Sequence, residues 1–184
     1  MQIFTIGHST RTFEEFYDLL KEHDIQVLVD VRSLPGSKRN PQFNRENLQK
    51  SLEEKGIKYL WLGEELGGYR KKGLGEESPN KAWTDESFRN YADHTQTQEF
   101  ERGTEKLLSL AEKQRVAIMC AEKLYWQCHR RIISDYLTVK RHQVTHIVDK
   151  GKVIAHELPS FAKIENGKLT YPNPNHQERL APKN

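Results

Sequence analysis

Residues 26–31 read Gln26-Val27-Leu28-Val29-Asp30-Val31, with β-branched and other apolar side chains on both faces of an extended chain. A strand apolar on both faces needs cover on both, which is the situation of a parallel sheet sandwiched between helices. The flanking sequence agrees with that reading. Upstream, Ile3-Phe4-Thr5-Ile6 forms a short apolar run ending in Gly7-His8-Ser9. Thr12 and Glu15 then stand at capping-box spacing, and Phe13, Phe16, Leu19 and Leu20 follow at helical intervals. Downstream comes a polar turn segment with Pro35, Gly36 and Pro41. A second helix follows, capped by Asn44, with Leu48 and Leu52 on one face and Gly56 as its stop. Residues 57–62 (IKYLWL) read as a third strand.

Between residues 63 and 83 the periodicity breaks. Five glycines and Pro79 sit among Arg70, Lys71, Lys72 and Lys81, with Tyr69 and Trp83 near the ends, so this stretch reads as a long glycine-rich loop. Helical sequence resumes at Thr84 or Asp85 and again over residues 97–113. Residues 116–120 (VAIMC) are a fourth strand, and residues 128–141 a helix with Ile132, Ile133, Tyr136 and Leu137 inward. Residues 144–149 and 153–157 flank Lys150-Gly151 as a hairpin, and Asn166-Gly167 marks a second turn. Strands alternating with helices predict an α/β fold: a mostly parallel, Rossmann-like or rhodanese-like three-layer sheet with a C-terminal antiparallel hairpin. Residues 1–171 read as one domain and residues 172–184 as a fraying tail.

Composition narrows the class without naming a function. The chain has 184 residues, 30% of them charged, with a formal net charge of +3, too small an excess to identify a nucleic-acid binder. No apolar run approaches the roughly 18 residues of a membrane span, and no basic segment with a cleavage site opens the chain, so neither a membrane nor a secretory route is expected. Two cysteines do not make a disulfide scaffold, and the expected location is cytoplasmic. The P-loop and dinucleotide glycine signatures are absent, and Cys-x7-Cys-His matches no common zinc spacing. No cofactor and no metal are therefore expected.

The chemistry-bearing residues collect after the strands. His8 and Ser9 follow the first; Asp30, Arg32 and Arg39 end or follow the second; Glu64, Glu65 and Tyr69 follow the third; Cys120, Glu122, Cys128, His129 and Arg130 follow the fourth. In an open α/β sheet these carboxyl ends form the ligand-binding rim. Arg32, Arg39 and Arg130 can clamp a phosphate or carboxylate, or can pair internally with Asp30, Glu65 or Glu122. Cys120 is either a buried small hydrophobe or an activated thiolate. Cys128, at the first turn of an amphipathic helix, reads as structural. Glu122, His8 and His129 are candidate acid/base groups, each with a structural alternative as a hydrogen-bond partner. Tyr69 and Trp83, among basic residues, would suit a nucleic-acid strand, and would equally suit a solvated lid.

These segments carry a resemblance. Thr5-Ile6-Gly7-His8-Ser9, Asp30-Val31-Arg32-Ser33 with Pro35, Arg39 and Phe43, and residues 62–68 (LGEELGG) resemble one family in its order. So do Cys120-Ala121-Glu122, Cys128-His129-Arg130 and Val144-Thr145-His146-Ile147. That family is the domain of unknown function 488. The resemblance implies a compact α/β domain with its site built from these segments, and implies no general activity. A weaker, architectural likeness is to rhodanese-type domains, which have an Asp-x-Arg after one strand and a cysteine after a later one. There the cysteine loop runs straight into a helix, whereas here the bulky residues 122–126 intervene.

Three functional expectations follow. The first is an enzyme acting on a phosphate-bearing substrate, a nucleotide, DNA or RNA, with Arg32 and Arg130 holding the anion and Glu122 or His129 as acid/base. The second is sulfur or other group transfer through Cys120. The third is a non-catalytic anion- or nucleic-acid-binding module. The first requires Arg32 and Arg130 to emerge into one cleft at the same end of the sheet, with an oxyanion expected within reach of Arg32 or of the backbone of residues 128–131.

Overall fold

The computed structural model describes residues 1–173; the tail expected over residues 172–184 falls, from residue 174 on, outside the described residues. Strands β1 (Gln2–Gly7), β2 (Val27–Asp30), β3 (Lys58–Trp61), β4 (Val116–Cys120), β5 (Gln143–Asp149) and β6 (Lys152–Ala155) form one sheet in the order β3-β2-β4-β1-β5-β6. The first five are parallel and β6 returns antiparallel, while β7 (Lys163–Glu165) and β8 (Lys168–Thr170) make a separate antiparallel hairpin. This is the mostly parallel α/β sheet with a C-terminal hairpin that the sequence predicts.

Strand alternation sends side chains to two apolar layers. Leu28, Phe4, Ile6, Ala117 and Met119 pack against Phe16, Leu19 and Leu20 of α1 (Phe13–Glu22) and Leu48 and Leu52 of α2 (Arg45–Glu54). Val27, Val29, Ile3, Val116 and Ile118 pack on the opposite face. Their partners there include Tyr91 of α4 (Glu86–His94), Phe100 and Leu107 of α5 (Gln98–Ala111), and Ile132, Ile133 and Leu137 of α6 (Arg130–Val139). All four residues of β2 are buried, which explains its two-faced apolar sequence. Strand β3 is the sheet edge, so Lys58 and Leu60 of its apolar-looking run are exposed.

Three readings are corrected. The 63–83 segment is not all loop: Gly63–Leu66 is a short helix, α3, because Leu66 packs into the core beside α5, where Gly103 leaves room for it. Trp83 is buried against Phe88, Phe161 and Tyr171, with the Arg131 guanidinium 4.6 Å over its ring, so it cannot stack on a base. The last helix begins at Arg130 and not at Cys128, which is extended at φ −140°, ψ 167°.

A buried polar chain ties the C-terminal elements to the first strand. Thr5 Oγ1 lies 2.6 Å from His146 Nδ1, His146 Nε2 2.8 Å from His156 Nδ1, and His156 Nε2 2.6 Å from Asp135 Oδ1. Tyr171 donates to Asp135 Oδ2 at 2.6 Å. Burial, with neighbouring His156 and Arg130, lowers His146 to about 2, and the Tyr125 ring stacks flat on it at 3.7 Å. No helix among the described residues is long and apolar enough to cross a membrane.

Candidate functional site

The connection leaving β1 crosses one face of the sheet towards β2, and that leaving β4 crosses the other towards β5. The chain thus diverges between β1 and β4 at their carboxyl ends, the place where open α/β sheets form a crevice. The register sets Gly7 opposite Cys120 and Asp30 opposite Met119, so the residues following these strands meet at one level. Gly7 makes the approach close: a Cβ there would lie 1.8 Å from the Glu122 carbonyl oxygen.

An open cavity of about 1270 Å³ occupies the crevice. His8, Ser9, Arg32, Arg39, Tyr69, Cys120, Glu122 and His129 all line it, together with Cys128. Asp30, Glu65 and Arg130 stand outside the lining. Glu65 instead pairs with Lys106 of α5.

Arg32 is held from four directions. Its Nε and Nη2 donate to Asp30 at 2.9 and 2.7 Å, Nη2 also donates to the Phe43 carbonyl at 2.8 Å, and Nη1 faces His8 Nε2 at 3.2 Å. Asp30 also accepts from Tyr59 at 2.5 Å. Burial works against the charge on Arg32, but the bonds and charge of Asp30 outweigh it and the guanidinium is more firmly protonated than usual. Burial, with Arg32 adding to it, lowers His8 to about 4. His8 is therefore neutral near pH 7. Its Nδ1 donates to the Ser9 carbonyl at 2.8 Å, so Nε2 is the acceptor that Arg32 Nη1 occupies, and the ring stacks on Phe43 at 4.5 Å. Its lone pair is committed to Arg32 and not to a substrate.

The other candidates surround two sulfur atoms. Cys120 Sγ and Cys128 Sγ lie 2.7 Å apart. Cys128 Sγ also accepts the Arg130 backbone N–H at 3.3 Å, and the Cys128 carbonyl accepts that of Arg131. A helix N-terminus favours a negative charge, and here the cysteine sulfur fills that place. Arg130 lies behind the cavity wall, its Nη2 donating to the Glu122 and Lys123 carbonyls at 2.8 and 3.2 Å. Burial alone would push the Cys128 thiol up. The bond from Cys120, with His129 and the Arg130 charge, reverses this and holds it well below the usual thiol range. Burial and the adjacent Cys128 push the Cys120 thiol well above that range. Either sulfur can be the donor between them; Cys120 Sγ also faces the Glu122 carbonyl at 3.7 Å, and the helix-start N–H favours negative charge on Cys128. His129 donates from Nε2 to the Val31 carbonyl at 2.9 Å, and its ring fits only because residue 68 is glycine, where a Cβ would lie 2.4 Å from Nδ1.

At the mouth, Arg39 and Tyr69 are exposed, Tyr69 by 67%, and no carboxylate pairs with Arg39 among the described residues. Glu122 is exposed at the wall, while its carbonyl holds Arg130. Among the described residues no three His, Cys, Asp or Glu side chains are grouped as a metal site.

A sequence-family profile for a domain of unknown function, DUF488, matches residues 12–137. The chain belongs to this family. The DUF488 match takes in Arg32, Arg39, Tyr69 and the whole segment from Cys120 to Arg130, whereas His8, Ser9 and the His146–His156 pair lie outside it. No curated protein and no solved structure matches the chain.

Cys128, read from sequence as structural, lines the cavity with its Sγ 2.7 Å from that of Cys120. Its signal was positional: a cysteine two residues before a helix start, able to reach back to the end of the preceding strand. His146, His156 and Asp135 carried no local signal, because two strands and a helix must assemble before they meet.

Proposed function

We propose that the DUF488 domain of this chain is a thiol-dependent group-transfer enzyme with Cys128 as nucleophile and Cys120 as the hydrogen-bond donor that holds it as a thiolate. The observation that carries this reading is Cys128 Sγ at the start of α6, on the cavity wall, accepting the Arg130 N–H with Cys120 Sγ 2.7 Å away. Thiolates so placed are nucleophilic at neutral pH, whereas buried thiols without such donors are inert. In the reaction, the Cys128 thiolate attacks an electrophilic atom of the substrate. A bond from that atom to sulfur forms, the bond to the leaving group breaks, and the electron pair departs with the leaving group. An acceptor nucleophile then takes the group from sulfur and restores the thiolate. Glu122, which also lines the cavity, would exchange a proton with the leaving group or the acceptor.

Mixing the protein with acyl, alkyl and sulfane-sulfur donors and reading the intact mass tests this. Retention of a transferred group on Cys128, lost in Cys128→Ser, is the expected result. Failure of every donor class to leave a group on Cys128 overturns the reading.

The substrate class has separate support at the mouth. Arg39, without a carboxylate partner among the described residues, and the exposed Tyr69 ring line the same cavity and fit a phosphate-bearing substrate such as a nucleotide or a nucleic-acid strand. Arg32 and Arg130 are committed inside the wall, so this reading assigns the anion to Arg39. Oligonucleotide binding should weaken with salt and weaken further in Arg39→Ala; binding indifferent to both removes the phosphate.

A further inference from the structure

Cys120 and Cys128 are the chain's only cysteines, and the fold brings them together from two elements, the end of β4 and the turn before α6. Their sulfurs, 2.7 Å apart, are closer than two non-bonded sulfur atoms ordinarily pack and longer than the about 2.05 Å of a disulfide bond. Both line the open cavity, with 2% and 8% of their surfaces exposed. Two cysteines serving only to fill a core would need neither the cavity nor the helix-start N–H that Cys128 receives.

We propose that this pair is a redox-active dithiol that takes a hydroperoxide as its oxidant and closes reversibly into a Cys120–Cys128 disulfide. The choice of the sulfur oxidised first rests on the reading of Cys128 as the thiolate; closure itself rests on the distance between the sulfurs. The Cys128 thiolate attacks the terminal peroxide oxygen. The S–O bond forms, the O–O bond breaks, and the departing alkoxide or hydroxide takes a proton to leave as alcohol or water. Cys120 then attacks the Cys128 sulfenic sulfur. The S–S bond forms, and the displaced hydroxide leaves as water with the proton from Cys120. Two thiols lose two electrons in all, and one hydroperoxide is reduced to an alcohol and water. The disulfide removes the nucleophile, so oxidation and group transfer exclude one another until an added thiol reopens the pair.

The full chain treated with hydrogen peroxide near neutral pH tests this by intact mass and peptide mapping. The expected product has lost two hydrogens, yields a linked Cys120–Cys128 peptide pair, and returns to the starting mass with dithiothreitol. In Cys120→Ser, which keeps an oxygen to hydrogen-bond Cys128, peroxide should stop at a sulfenic acid on Cys128 that dimedone traps. Addition of oxygen atoms to the native chain without a linked peptide, or no reaction where a free cysteine is oxidised, overturns the proposal. The two readings fail separately. Group retention on Cys128 without disulfide closure leaves the transferase standing, and closure without group retention leaves the dithiol standing.

Discussion

The Arg130 backbone N–H reaches Cys128 Sγ at 3.3 Å while the Arg130 side chain, 1% exposed, turns back to the Glu122 and Lys123 carbonyls. One residue thus fixes the sulfur and the loop that arrives from β4. Replacing it by Met keeps the N–H and removes the guanidinium, leaving two carbonyls without their donor. The expected loss is about 1.5–3 kcal/mol, the usual worth of a hydrogen bond to a charged group, with a slower Cys128 reaction near pH 7. Chemical denaturation and alkylation of the same Arg130→Met sample check both. An unchanged alkylation rate would contradict the part assigned to its charge.

Asp30 is wholly buried and accepts from the Arg32 side chain and from Tyr59. Asp30→Asn leaves the Arg32 charge buried beside a neutral amide. Removing one partner of such a pair costs about 3–5 kcal/mol, a large part of a domain's whole stability. The denaturation midpoint should fall accordingly; a shift within experimental error would mean that the pair is solvated.

The depressed His8 gives stability a pH dependence of definite sign. Its folded value, about 4, lies below the ordinary 6.5, so between those values the unfolded chain binds the proton and the folded chain does not. The contribution is complete above pH 6.5 and is lost as pH falls towards 4. At pH 5 the loss is about 2 kcal/mol, from the two pKa values. His8→Gln should flatten the stability profile between pH 7.5 and 5 by about that amount. Parallel profiles for the two proteins would show that His8 titrates normally.

Gly7 abuts the Glu122 carbonyl, where a Cβ would sit at 1.8 Å from backbone oxygen. Gly7→Ala must move β1 or the Cys120–Glu122 segment. Overpacking of this kind costs about 1–3 kcal/mol, which for a chain of this size lowers Tm by roughly 2–12 °C. Because the moved segment carries Cys120, disulfide closure should slow as well. Thermal melting and the rate of peroxide-driven closure check the pair of effects.

Much of this arrangement was legible in the chain. The two-faced apolar pattern of β2 and β4 implies a covered parallel sheet, and that alone brings His8, Arg32, Cys120 and Cys128 to one end. What pattern did not supply is which groups satisfy each other there. Arg32 has Asp30 two residues away, an alternative visible in sequence, but the Phe43 carbonyl that completes its shell depends on how the 33–43 turn folds. The start of α6 looked suited to an external anion because the reach of the Cys128 sulfur to its own helix depends on a backbone angle. Trp83 looked available for stacking because its cover comes from Phe161 and Tyr171, far along the chain. The Trp83 reading turns on a contact between distant segments, whereas the contact at the α6 start spans only two residues.

In the proposed function Cys128, and not Cys120, is the thiolate at neutral pH. Iodoacetamide labelling of the native chain from pH 5 to 10, with the modified peptide identified at each pH, measures this directly. Carbamidomethylation is expected at Cys128 with a midpoint below the about 8.5 of a free cysteine, while Cys120 stays unlabelled until the protein unfolds. Labelling at Cys120 first, or no labelling of Cys128 below the pH at which a free cysteine reacts, would contradict it.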